Sequence, residues 1–164
     1  MAQEPLIIEV PNLLRDKVSY GPDGMDQKAL ERLDASIVND LKAEYVDWAQ
    51  RDLAKLQEAF DQALAVGPGE QRRAAMQALF AVAHEIKGQG GSFHYDLMTT
   101  IGNQLGQFVE HRESFDEAEM NVVRVHIDAL RMVIAQHLEG DGGAAGKALV
   151  RGLQLVIAKV SGQP

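Results

Sequence analysis

The chain reads as all-α: an antiparallel up-down four-helix bundle with additional N-terminal and C-terminal helical segments. Three observations lead there. Apolar residues recur at three- and four-residue spacing through most of residues 25–160, the period of helices that bury one face. Glycine, proline and capping residues interrupt that pattern only in short clusters, as connections between neighbouring helices require. Apart from Leu6-Ile7-Ile8-Glu9-Val10, no stretch suggests a strand.

At 164 residues the chain is long enough for one domain that buries about two-thirds of its unfolded surface. It carries 16 Lys and Arg against 24 Asp and Glu, a net charge of −8, and no basic run. That balance argues against nucleic acid, whose binding needs clustered cations. The absence of cysteine excludes disulfides, thiolate metal sites and cysteine nucleophiles. Met1-Ala2-Gln3-Glu4-Pro5 lacks the basic start of a signal peptide, and no apolar run approaches a membrane span. The expectation is a soluble, cytoplasmic protein that engages neither nucleic acid nor membrane.

Residues 1–25 hold Pro5, Pro11 and the turn cluster Gly21-Pro22-Asp23-Gly24, and read as an extended or loosely ordered segment. The helical bundle occupies residues 26–164, with its core at about 42–139. From Met25 to Val66 there is neither Gly nor Pro. Leu30, Leu33, Ile37 and Leu41 form one apolar stripe; Tyr45, Ala49, Leu53, Leu56, Phe60 and Leu64 form another whose phase has drifted. Two helices, or one with a bend near Asn39 to Lys42, account for it. Gly67-Pro68-Gly69 ends the segment, with Pro68 suited to begin the next helix. Residues 70–94 and 96–110 are the next two helices. In the second, Gly102 and Gly106 flank the stripe Met98, Ile101, Leu105 and Phe108. Glycine costs a helix about 1 kcal/mol against Ala, so the pair points to close approach by the preceding helix. Ser114-Phe115-Asp116-Glu117 has capping-box spacing and introduces a helix with Met120, Val123, Ile127, Leu130, Ile134 and Leu138 inward. Gly140-Asp141-Gly142-Gly143 stops it. Ala144 to Val160 forms a last helix on Leu149, Leu153, Val156, Ile157 and Val160.

The segment Ala83-His84-Glu85-Ile86-Lys87-Gly88-Gln89-Gly90-Gly91-Ser92-Phe93 carries the chemistry. Leu79, Val82, Ala83, Ile86, Gly90 and Phe93 fall in one core-facing stripe, and His84 lies roughly 140° from Leu79. Lys87 stands one turn above His84, with Gly88 and Gly91 nearby. A nucleophile therefore faces outward beside a cation and residues without side chains, a surface another protein can approach closely.

These residues resemble the histidine phosphotransfer (HPt) domain of bacterial multistep phosphorelays. His84, Ile86, Lys87-Gly88, Gly90, Gly91 and Phe93 stand at the positions of its signature, and Met98, Ile101 and Leu105 match the apolar spacing of its following helix. The likeness covers about 45–110, and the bundle extends it to about 139. His94 stands where the family usually has Gly, at a left-handed helix end that His tolerates better than most residues. Gln89 stands where a small residue is common.

The resemblance implies a phosphocarrier rather than an enzyme, a monomer with no kinase or nucleotide-binding machinery of its own. His84 would accept a phosphoryl group from the aspartate of a receiver domain, in a response regulator or a hybrid sensor kinase, and pass it to another. An imidazole in water is largely neutral and nucleophilic near pH 7. Lys87 would compensate charge on the phosphoryl oxygens. Gly88 and Gly91 leave room for the partner's loops, and Gln89 is open to a polar contact. Phe80 and Met76, nearer His84 than a core stripe needs, are candidates for an apolar docking patch. No cofactor or metal is expected here; magnesium belongs to the partner receiver.

A lone exposed histidine would by itself signify little, and the Lys87-Gly88 pair with the glycine run is what gives His84 weight. Glu85 follows it as an acid follows the phosphoacceptor of sensor kinases, but Gln89 occupies the position where those helices usually have proline. His126 and His137 share a helix side, and with His111 they invite a metal reading that no paired carboxylate or histidine completes. Trp48 lies off its apolar stripe. Two other functions stay open at this point: a helical scaffold that binds a response regulator without transfer, and the phosphoacceptor and dimerisation domain of a split sensor kinase.

Overall fold

The computed structural model describes residues 27–162. The expected segment 1–25, with Leu6 to Val10, lies outside the described residues. Among these, five α-helices and one 3-10 turn occur and no strand: α1 Gln27–Ala65, α2 Glu70–Gly90, the turn Gly91–Phe93, α3 Asp96–Glu110, α4 Glu117–Ala135 and α5 Gly143–Val160. The chain divides into two compact units, residues 1–39 and 40–164.

In the first unit the described residues are the opening turns of α1, in which Leu33, Ile37 and Val38 are exposed. The helix assignment runs unbroken through Asn39 to Lys42. Of the two expectations for this stretch, the single helix holds; with no Gly or Pro, nothing in the sequence stops propagation.

The second unit is the bundle. Side-chain pairings fix its directions. Tyr45, early in this part of α1, stacks on Phe93 at 4.8 Å and 12°, while the far end of α1 meets the start of α2 through Arg72. These two helices are therefore antiparallel. Gly90 abuts Met98 and Thr99, and Gly106 abuts Phe80, so α2 and α3 are antiparallel too. Lys42 pairs with Glu139 at 2.6 Å, setting the end of the α4 region beside this part of α1. Arg124 lies 5.7 Å from the Phe60 ring centre, closing the ring of four at the other end. Short connections between packed helices leave no other arrangement.

The stripes read from the sequence from Tyr45 onward line the core, whereas Leu33, Ile37 and Leu41 of the first stripe are exposed. Tyr45, Ala49, Leu53, Leu56 and Phe60 of α1 are buried with Leu79, Ala83 and Ile86 of α2, Met98, Ile101, Leu105 and Phe108 of α3, and Met120, Val123, Ile127, Leu130 and Ile134 of α4. Burying a Leu, Ile, Met or Phe contributes about 1.5–3 kcal/mol each. Leu64 departs from its stripe and is exposed. The last helix begins at Gly143, where the Asp141 carboxylate accepts from the Gly143 N–H at 2.8 Å. It packs on α3 and α4 through Leu153 and the half-buried Leu149, Val156 and Ile157.

Two helix starts differ from expectation. The N-cap of α2 is Gly69 at φ 143°, a conformation glycine adopts readily, so Pro68 precedes the helix instead of opening it. The capping box of α4 is built by Asp116 and Glu119, not Ser114 and Glu117. The Asp116 side chain accepts from the Glu119 N–H, and the Glu119 side chain accepts from the Asp116 N–H, both at 2.8 Å. Register decides it: with Asp116 as cap, Phe115 and Met120 occupy the staple positions, and both are buried.

Candidate functional site

The histidine helix α2 is held from three sides. At its start, the Arg72 guanidinium donates to the carbonyl oxygens of Ala63 (3.1 Å), Val66 (2.8 Å) and Phe115 (2.9 Å). It thereby supplies donors to the end of α1 that no helix neighbour provides. At its far end, Tyr45 is flanked by Phe93 and, at 5.1 Å, by Tyr95, while Trp48 meets Phe93 edge-on at 5.8 Å. Burial raises the Tyr45 hydroxyl far above the ordinary phenol range, the Tyr95 and Asp52 charges adding to it. The helix tightens into its 3-10 turn and ends on His94 at φ 62°, ψ 31°. This is the left-handed conformation expected at His94.

Along its length α2 lies close against α3. A β-carbon on Gly102 would sit 3.2 Å from the Lys87 amide nitrogen and 3.3 Å from the Ala83 carbonyl. The Thr99 hydroxyl donates to the Lys87 carbonyl at 3.0 Å. The close approach expected from Gly102 and Gly106 is thus made at the turn that carries His84.

His84 and Lys87 are both exposed, and both line one cleft of about 150 Å³. Phe80 forms one wall, its ring 6.2 Å from the His84 ring centre to centre. Gly102 and Gly106 belong to its floor, and Asn103, Gln107 and Glu110 of α3 form the opposite rim. The geometry offers an accessible nitrogen nucleophile, one ammonium group, two amide side chains and the Glu110 carboxylate around a shallow space. Desolvation there is slight, so positioning and charge compensation are the chemistry available.

The other candidate residues are distributed around this cleft. Phe80 is half-buried and belongs to it. Gly88 is exposed, and a β-carbon there would touch nothing within 4 Å. Gly91 is exposed beside Thr99. Gln89 turns to the other flank, where it lines a cleft of about 330 Å³ with Trp48, Arg51, Lys55 and Glu85. Met76 is corrected: it is 0% exposed within the core and offers no surface to a docking partner. Phe115 and Val109 share its surroundings, and the connection between α3 and α4 folds Phe115 over that end of α2.

Among the described residues, no group of three or more His, Asp or Glu stands close enough to hold a metal ion. His126 is buried and its Nδ1 lies 2.8 Å from the Val122 carbonyl, whereas His111 is exposed with Nδ1 2.8 Å from the Gln107 carbonyl. His137 follows Gln136, the C-cap of α4, at φ 49°. Nor is any described helix long and apolar enough to cross a membrane.

Asn103, Gln107 and Glu110 were not among the sequence candidates. The signal was present, since Asn103 and Gln107 each follow a glycine of the close-approach pair. A residue next to such a glycine must flank the neighbouring helix.

Residues 40–139, more than half of the chain, match the model of the Hpt domain. The chain belongs to the Hpt domain family. Its bundle, α1 from Asp40 through α4, coincides with the matched region, and α5 follows it. Membership places the chain among the phosphotransfer modules of phosphorelays. No curated protein and no solved structure matches it.

Proposed function

We propose that this Hpt protein is a phosphorelay intermediate that accepts a phosphoryl group on His84 from a receiver-domain aspartate and gives it to a second receiver. The single observation that carries the reading is the exposed imidazole sharing a cleft with Lys87 over a glycine floor. In the transfer, the lone pair of one ring nitrogen forms the N–P bond as the P–O bond of the acyl phosphate breaks. The aspartate carboxylate leaves with the electron pair, and the ring's proton stays on its other nitrogen. The reverse sequence delivers the group to the next receiver.

Lys87 compensates the negative charge on the phosphoryl oxygens throughout. Gly88 and Gly91 admit the partner's active-site loops, and Phe80 supplies an apolar contact beside the acceptor. Gln89 meets the partner on the α1 side. Magnesium acts in the receiver, and the carrier works as a cytoplasmic monomer that does not phosphorylate itself with ATP.

Incubation with a radiolabelled, phosphorylated receiver tests this. The expected product is acid-labile, alkali-stable label on the wild-type chain and none on His84→Gln. Label that persists on the variant moves the acceptor elsewhere. Stable binding of receivers without any transfer would instead make the protein a scaffold.

A further inference from the structure

The geometry points to α5 as a second docking element: the groove between α3 and α5 receives the same receiver domain that exchanges phosphoryl with His84, and it discriminates among receivers. This rests on the phosphotransfer reading above. The groove, about 520 Å³, is lined by Phe108, His111, Gln154, Ile157, Ala158 and Ser161, and by Gln107. Gln107 also lines the His84 cleft, so the two depressions adjoin across one exposed α3 side chain. A partner seated over the imidazole on the α3 side reaches the groove without leaving the surface.

The fold fixes the groove's shape. Arg112, just past the end of α3, donates to the Ser161 hydroxyl at 2.8 Å just past the end of α5, while Leu97 at the start of α3 meets Gly142 and Gly146 at the start of α5. The two helices therefore run parallel, held at both ends, with the groove along them. Its chemistry suits a protein surface better than a phosphate. Arg112 is neutralised by Glu119 and stacked 4.2 Å over Phe108, which leaves amides, a hydroxyl, the His111 imidazole and apolar side chains. Residues 143–160 lie outside the region that matches the family, so one wall of the groove comes from beyond the matched bundle, where partner choice can be set without altering the chemistry.

Transfer kinetics from phosphorylated receivers of the same cell test the assignment, with Gln154→Trp and Ala158→Trp filling the groove and thermal melts verifying the fold. Gln154 is exposed, so its variant is the one expected to fold unchanged. The expected result is a KM raised about tenfold for at least one receiver, with kcat nearly constant. Leu155→Gln, on an exposed position outside the groove, should leave KM unchanged. Wild-type KM in folded groove variants for every receiver that labels the wild-type chain overturns the groove assignment alone. If no receiver labels even the wild type, the phosphotransfer reading falls, and this inference with it.

Discussion

At the residue scale, the proposed transfer gives Lys87 the largest electrostatic task, because it is the cation that lines the cleft with His84. Removing one preorganised donor to a developing oxyanion typically costs about 10²–10³-fold in rate, and an exposed site gives less. Lys87→Ala should therefore slow transfer to and from His84 by about tenfold to a hundredfold, with Lys87→Arg recovering part of the loss in rapid-quench assays. Equal rates in wild type and Lys87→Ala would remove the ammonium from the mechanism. Gly90 is the steric counterpart. A β-carbon there would lie 2.8 Å from the Tyr95 carbonyl and 2.9 Å from the Met98 β-carbon, and backbone cannot yield as a flexible side chain does. Gly90→Ala should cost about 1–3 kcal/mol, visible as a melting temperature lower by several degrees.

At the scale of elements, the connections hold what the helices alone do not. Arg72 joins the end of α1 to the connection between α3 and α4 through three carbonyls. Hydrogen bonds from a charged group contribute about 1.5–3 kcal/mol each, and the orphaned carbonyls add a desolvation cost. Arg72→Met should lower unfolding free energy by about 3 kcal/mol in denaturant titration, and an unchanged midpoint would show the clamp to be idle.

The sequence signalled the elements themselves, because Leu79, Ala83 and Ile86, or Met98, Ile101 and Leu105, repeat at the helical period whatever surrounds them. Arg72 was not legible, since its acceptors are backbone groups brought together only by the fold. The start of α4 was half legible: Ser114-x-x-Glu117 and Asp116-x-x-Glu119 overlap, and the tertiary burial of Phe115 chooses between them. Met76 was misread for a related reason, its cover coming from another connection. The left-handed backbone at His94 followed from the resemblance, whereas the 3-10 turn at Gly91–Phe93, which ends α2 at Gly90 short of the expected residue 94, did not.

For the whole molecule, the buried His126 couples stability to pH. Burial holds its pKa below the usual imidazole range, the bond to the Val122 carbonyl opposing this only in part. The unfolded chain, with an ordinary value near about 6.5, then binds the proton more tightly than the folded one. Stability from this group is complete above that value and is lost as pH falls through it toward the folded pKa. Melting temperature should decline from pH 7 to pH 5, and His126→Leu should flatten that decline. A variant with the same slope would assign the dependence to other groups.

The candidate site was legible at its centre and only in part at its rim. His84 and Lys87 follow from one helix and its wheel, whereas Asn103, Gln107 and Glu110 come from a second helix whose rotation depends on Gly102 packing against Ala83 and Lys87. The groove between α3 and α5 depends on three-dimensional neighbours far apart in sequence. The central claim concerns one imidazole, and peptide mapping with 31P NMR of the chain after exposure to a phosphorylated receiver tests it most directly. The account predicts a phosphorus–nitrogen resonance on the peptide that contains His84. A signal on any other residue, or none from a receiver that binds, contradicts it.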